Sequence, residues 1–123
     1  MSSDPERLLE LRRRILKMAA DSGEGHVPSA FSVLEVVREA FIFFDFGPGK
    51  DDFILSKGHA SLALFVVLAE IDLVSESDLA AFCSFDARLG GHPDSTKVPL
   101  VPTSTGSLGH GLPFGVGLAA AKV

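Results

Sequence analysis

Residues 60–71 read ASLALFVVLAEI, apolar nearly all the way round a helix. A helix without a polar face belongs in an interior, so this segment is expected to be a buried one. At 123 residues, 46% hydrophobic and 22% charged, the chain has a globular balance and reads as one domain or part of one. Its most apolar run is far shorter than the roughly 20 residues that span a bilayer, so no membrane partner is expected. A net charge of −5 argues against nucleic acid, because phosphate binding needs a basic stripe. The cluster Arg12, Arg13, Arg14 and Lys17 shares a predicted helix with Glu6 and Glu10 and reads as a solvated face. Cys83 is the single cysteine; within LAAFCSF it reads as a buried, inert thiol, and no disulfide framework exists. The N-terminal MSSDPERLLE lacks the apolar stretch of a signal peptide. A cytoplasmic setting is the expectation.

The remaining segments alternate helical patterns with glycine-rich loops. Asp4 suits an N-cap and Pro5 a first helical position. Leu8, Leu11, Ile15, Met18 and Ala19 then recur at helical spacing until DSGEG. A second helix is predicted from Ala30 to Phe43, capped by Ser29, with Phe31, Leu34, Val37 and Phe41 facing inward. FIFFDF, residues 41–46, is too apolar for an exposed face and suits either core packing or a subunit interface. FILS, residues 53–56, has the look of a short strand. Ser75 and Asp78 form a capping-box pattern for a helix running to about Cys83. Residues 87–111 are a long loop, of the kind that usually carries function, and a small-residue helix follows near Leu112-Pro113. Helices, a short strand and Gly-rich loops together point to an α/β three-layer arrangement.

All four histidines follow a glycine: His26, His59, His92 and His110. With 12 glycines in 123 residues, chance pairing of all four would occur about once in ten thousand, so backbone freedom beside each ring is expected to matter. Zinc would want close His pairs or cysteine ligands, and neither is present. A Ser-His-Asp nucleophile elbow is also missing. Imidazoles on loops suit hydrogen bonding to hydroxyls or phosphates and proton transfer near neutral pH. Gly106, Gly109 and Gly111 permit close backbone approach to a ligand, although the segment matches neither common phosphate-loop fingerprint.

Taken together, EGHVPSAFSVLEV, DDFILSKGHASLALFVVLAE, GGHPD and TSTGSLGHGLPFGVGLAAA resemble the N-terminal part of transketolases, in order and at about the expected spacing. The resemblance is closest to split transketolase-like enzymes, whose N-terminal half is a separate polypeptide. It implies that residues 1–123 are a single domain, the N-terminal portion of a thiamine-diphosphate-binding α/β/α domain, mostly helical in this stretch and incomplete at its C-terminus. It implies transfer of a two-carbon ketol unit from a ketose phosphate to an aldose, with thiamine diphosphate and Mg²⁺ as cofactors. By the same resemblance His26 and His92 would contact substrate hydroxyls and assist proton transfer, making them the candidate catalytic residues. His59 would lie near the thiazolium and diphosphate, and Gly106, Ser107 and Leu108 would line the thiazolium.

Two departures stand beside this match. His110 replaces a glutamine common in the family, and Ser107 is the choice usual in split members. The Gly-Asp-Gly and Asn that hold Mg²⁺ in the family do not occur in these residues, so no metal ligand is assigned to this chain. The expected partners are therefore a sugar-phosphate substrate and complementary transketolase chains in an oligomer. A non-catalytic interaction module, or a fragment of a longer protein, is the alternative.

Overall fold

In the computed structural model, which describes residues 5–123, helix α4 (Ser61–Glu70) forms the centre. Every residue from Ser61 to Ala69 is buried, as an all-apolar sequence requires. Around it pack α1 (Pro5–Ser22), α2 (Val27–Phe31), α3 (Leu34–Phe43) and α5 (Glu76–Ala80). α1 turns Leu11, Ile15 and Met18 inward, with Leu8 and Ala19 half-buried beside them. Asp4, expected as its cap, lies outside the described residues. The basic residues of α1 are solvated and paired: Arg12 with Glu35 on α3, Arg14 with Glu76 on α5, and Lys17 with Asp21.

The predicted Ala30–Phe43 helix is two helices. The first starts at Val27, with Pro28 in its opening turn, where its missing N–H costs nothing. It ends at Phe31, because Val33 swings to φ −128° before α3 begins. Ser29 therefore lies inside α2 and does not cap a helix. FILS forms no sheet ladder: the Ser56 N–H turns back to the Ile54 carbonyl at 3.1 Å, and the Leu55 carbonyl accepts the Thr105 hydroxyl at 2.7 Å. Its backbone groups are committed to a turn and a loop. Among the described residues the nearest approach to a sheet is one isolated parallel bridge, Phe46 to Asp51. This stretch is thus helical, as expected for the first portion of the domain.

Ser75 and Asp78 make the reciprocal capping box. The helix they open stops at Ala80, before Cys83 in the left-handed region at φ 58°. Cys83 is consequently half-buried and not enclosed. Burial, and secondarily the charge of Glu24, raise its thiol pKa, which disfavours the nucleophilic thiolate. In the aromatic run, Phe41 packs on Phe46 and Phe53 at 4.8 and 5.0 Å, whereas Phe43 is 78% exposed. The run is part core and part surface.

Arg38, with 1% exposure, is a charge buried on the inward face of α3, beside Leu34 and Val37. Its Nε and Nη2 donate to the two carboxylate oxygens of Glu70, each at 2.9 Å, and Arg7 adds a third bond at 2.9 Å. Burial pushes the Glu70 carboxyl up, but the hydrogen bonds from Arg38 and Arg7, with their charges, outweigh it and hold it below its ordinary value. This bidentate pair ties α3 and α1 to the end of the central helix.

α6 (Gly111–Ala121) begins within a residue of its predicted start. Gly111 is its buried residue, pressed on Ser56, and Lys122 anchors the far end to Asp52 at 2.7 Å. Leu112, Phe114 and Val116 are exposed. Among the described residues, no helix is long and apolar enough to cross a membrane.

Candidate cofactor and substrate site

Three loops meet at the edge of α4, and each delivers one histidine. His26 occupies the N-cap position of α2. Gly25 before it has φ +105°, and a Cβ there would lie 2.8 Å from Leu62 Cδ1 on α4. His59 sits in the 3₁₀ turn Gly58–Ala60 that leads into α4. His92 follows Gly91, whose carbonyl accepts the Ser61 hydroxyl of α4 at 2.9 Å.

The resulting row is geometrically regular. The His26 and His59 ring centroids are 4.9 Å apart at 87°, and those of His59 and His92 are 4.6 Å apart at 83°. His59 is in the middle, with its Nδ1 buried and without a hydrogen-bond partner among the described residues. His26 and His92 flank it with exposed side chains. Gly106 closes the other side: a Cβ there would stand 3.3 Å from His92 Cδ2. Burial, then the charges of His59 and His26, lower the His92 pKa. A neutral His92 keeps one ring nitrogen as an acceptor, able to take a proton.

Of the residues expected to act together, His26, His59, His92 and Gly106 converge. Ser107 and Leu108 are exposed in the turn that runs on from Gly106. His110 takes no part in the row; it stands before α6 with its Nε2 3.5 Å from Ser107 Oγ. Gly58, Ser61 and Thr105 position the row; Gly58 is the glycine expected to matter beside His59, whereas nothing in the sequence marked Ser61 or Thr105. A Cβ on Gly58 would lie 2.6 Å from the Thr105 carbonyl carbon and 2.8 Å from the Gly106 N. The glycine-before-histidine pattern was the available signal, but its cause differs by position. Gly25 and Gly109 need a left-handed backbone, whereas Gly58 needs room. Nothing in the structure explains Gly91 in either way.

The row fits a thiamine diphosphate site on one observation, the buried His59 Nδ1 that has no hydrogen-bond partner among the described residues; the close packing of Gly58 on Thr105 and of Gly106 on His92 holds the loops around it. Among the described residues no three His, Cys, Asp or Glu side chains converge to hold a metal, and Mg²⁺ takes oxygen ligands, not imidazoles. An open apolar cleft of about 570 Å³ runs along α6, lined by His110, Pro113, Phe114, Gly117 and Leu118. It lacks the convergent polar groups that orient a ligand.

Residues 20–123 match the family described as "Transketolase, thiamine diphosphate binding domain". An apulose-4-phosphate transketolase subunit of Actinobacillus succinogenes is 35% identical over 119 residues, covering 90% of this chain and 43% of that protein. Transketolase-like protein 2 of Homo sapiens is 36% identical over 118 residues, 89% of this chain and 18% of that protein. A crystal structure of transketolase from Pichia stipitis in complex with sedoheptulose-7-phosphate superposes with a TM-score of 0.75 at 28% identity, covering 94% of this chain and 18% of that one. The chain spans less than half the length of these relatives. Fold, motifs and sequence matches agree: the chain belongs to the transketolase family, as a stretch of its thiamine-diphosphate-binding domain.

Proposed function

We propose that this chain supplies one wall of a thiamine-diphosphate-dependent site that moves a two-carbon ketol unit from a ketose phosphate to an aldose acceptor. Residues 1–123 would be the N-terminal portion of the diphosphate-binding domain, working in an assembly with a complementary transketolase polypeptide. The observation that carries this reading is the row His26–His59–His92 set against Gly106. Membership of the family supports it, as does the subunit form of one relative.

When bound, thiamine diphosphate supplies the nucleophilic carbon and electron sink that carbon–carbon cleavage requires. This chain's residues do the rest of what the wall can do. Gly106 offers backbone without a side chain, and Ser107 and Leu108 extend that surface toward the thiazolium. His59 turns its buried Nδ1 to a hydrogen-bond partner, with its ring orientation fixed by the imidazoles on both sides. His26 and His92 hydrogen-bond the sugar hydroxyls, and the neutral His92 ring accepts and returns a hydroxyl proton. Mg²⁺ would be held by the complementary polypeptide. α6 favours this division of labour, because a helix apolar on all faces is one that a larger body covers. A second reading, a non-catalytic docking module, rests on the same exposed residues Leu112, Phe114 and Val116.

Co-purification with the complementary polypeptide, followed by a ketol-transfer assay, tests the proposal. Transfer that depends on thiamine diphosphate and falls about 10²–10⁴-fold in His92→Ala is expected. A stable assembly without transfer would favour the docking module.

A further inference from the structure

Most basic side chains of the described residues stand beside a carboxylate, and Lys57 at the site does not. Every arginine, together with Lys17, Lys50 and Lys122, has a carboxylate oxygen within 4.0 Å. Lys97 lies in no such pair but helps to hold the Asp94 carboxyl low. Lys57, two residues before His59, has no carboxylate partner among the described residues. Its Nζ donates to Ser32 Oγ at 2.9 Å. The Ser32 hydroxyl spends its own proton on the Ser29 carbonyl at 2.7 Å, so its lone pairs are what the ammonium meets. An ammonium has three donors, and two remain uncommitted.

The position of this ammonium is set by the same packing that builds the histidine row. The 3₁₀ turn after Lys57 lies against α2. His26 begins that helix and Ser32 ends it, roughly 9 Å apart along the axis at 1.5 Å per residue. We propose that Lys57, held by Ser32, is an anion contact for a phosphoryl group, one short-helix length from the histidines. A ligand with a hydroxylated or reactive part at the row and a phosphoryl group further along matches this spacing. The chemistry is shared by two ligands, the cofactor's diphosphate and the sugar's phosphate. Naming either as the source rests on the function proposed above, whereas the anion contact itself rests on the unpaired ammonium.

The test is a set of binding titrations by calorimetry on the native assembly, with thiamine diphosphate, unphosphorylated thiamine, a ketose phosphate and inorganic pyrophosphate as probes. Lys57→Met is expected to weaken pyrophosphate and one phosphorylated ligand about tenfold, the scale of a lost charge-assisted hydrogen bond. Unphosphorylated thiamine should bind as in wild type, and Lys57→Arg should restore most of the loss. A loss confined to thiamine diphosphate assigns the contact to the cofactor; a loss confined to the ketose phosphate assigns it to substrate. Ser32→Ala, which keeps the charge but frees the side chain, should weaken the same ligand two- to threefold and covers the case in which Lys57→Met folds poorly. Wild-type affinity for every phosphorylated probe in Lys57→Met, or an equal loss for thiamine, overturns the inference. If wild type binds neither thiamine diphosphate nor the ketose phosphate yet binds pyrophosphate through Lys57, the functional reading fails while the anion contact stands.

Discussion

Gly58→Ala asks one methyl group to occupy space that the site has already used. The new Cβ would lie 2.6 Å from the Thr105 carbonyl carbon, 2.7 Å from its oxygen and 2.8 Å from the Gly106 N. Carbon atoms rest about 3.5–4.0 Å apart, so a displacement on the order of 1 Å is required. All three obstructing atoms are backbone, and the Thr105 hydroxyl pins that loop to Leu55 at 2.7 Å. No flexible side-chain end is available to yield. Overpacking of this kind costs about 1–3 kcal/mol, offset by roughly 0.4–1 kcal/mol from the stiffer unfolded chain. A net loss of about 1–2 kcal/mol should lower the melting temperature by roughly 4–8 °C, taking about 4 °C per kcal/mol. Because Gly106 moves with Thr105, and Gly106 backs onto His92, thiamine diphosphate affinity should also fall about tenfold. Gly91→Ala is the matched control: no heavy atom lies within 4 Å of its would-be Cβ, and both readouts should stay near wild type. Thermal melts and equilibrium dialysis measure the two effects. A Gly58→Ala protein that melts and binds like wild type would refute the claim that close backbone approach builds this site.

Glu70→Gln should destabilise the fold by about 3–5 kcal/mol, seen in denaturant unfolding, because it removes the carboxylate charge that the buried Arg38 grips through two hydrogen bonds; a loss under 1 kcal/mol would contradict the pairing. The Glu70 carboxyl is held below its ordinary 4.5 in the fold, so its contribution is fully present above that value. It should disappear as pH falls through the lower folded value, an acid-side loss that Glu70→Gln removes. For His92 the folded pKa lies below the ordinary 6.5, from burial first and then the charges of His59 and His26. An NMR titration should therefore place its midpoint under 6.5, and His26→Ala should raise it. Since the unfolded chain takes the proton first, stability contributed at this ring is complete above 6.5 and falls as pH drops below it. A His92 midpoint at or above 6.5 would contradict the imidazole row.

How much of this was readable from residues follows from which forces act locally. α4 was legible because an all-apolar helix has one place to go, and the Ser75–Asp78 box because both partners lie within one turn. The break between α2 and α3 was hidden, since the apolar spacing of Phe31, Leu34 and Val37 continues straight through it while the backbone turns at Val33. Arg38 did carry a signal: it shares the inward stripe with Leu34, Val37 and Phe41. Its partner Glu70 is 32 residues away, which no local pattern supplies. FILS has strand-like composition, but a strand exists by virtue of a neighbour, and Thr105 and a tight turn take its backbone groups instead. For the site, the four glycine–histidine pairs identified the right loops. That three rings would align while His110 stood apart depends on α4, which holds Gly25 through Leu62 and Gly91 through Ser61.

The central claim, that His26, His59 and His92 form the cofactor- and substrate-facing wall of a thiamine enzyme, is tested most directly on the imidazoles themselves. The chain has four histidines, so long-range ¹H–¹⁵N spectra of the ¹⁵N-labelled chain, assembled with its complementary polypeptide, can follow each ring as thiamine diphosphate and then a ketose phosphate are added. The account predicts that thiamine diphosphate shifts His59 most and that the ketose phosphate shifts His26 and His92. Rings in the row that stay unmoved at saturating cofactor and substrate would contradict it.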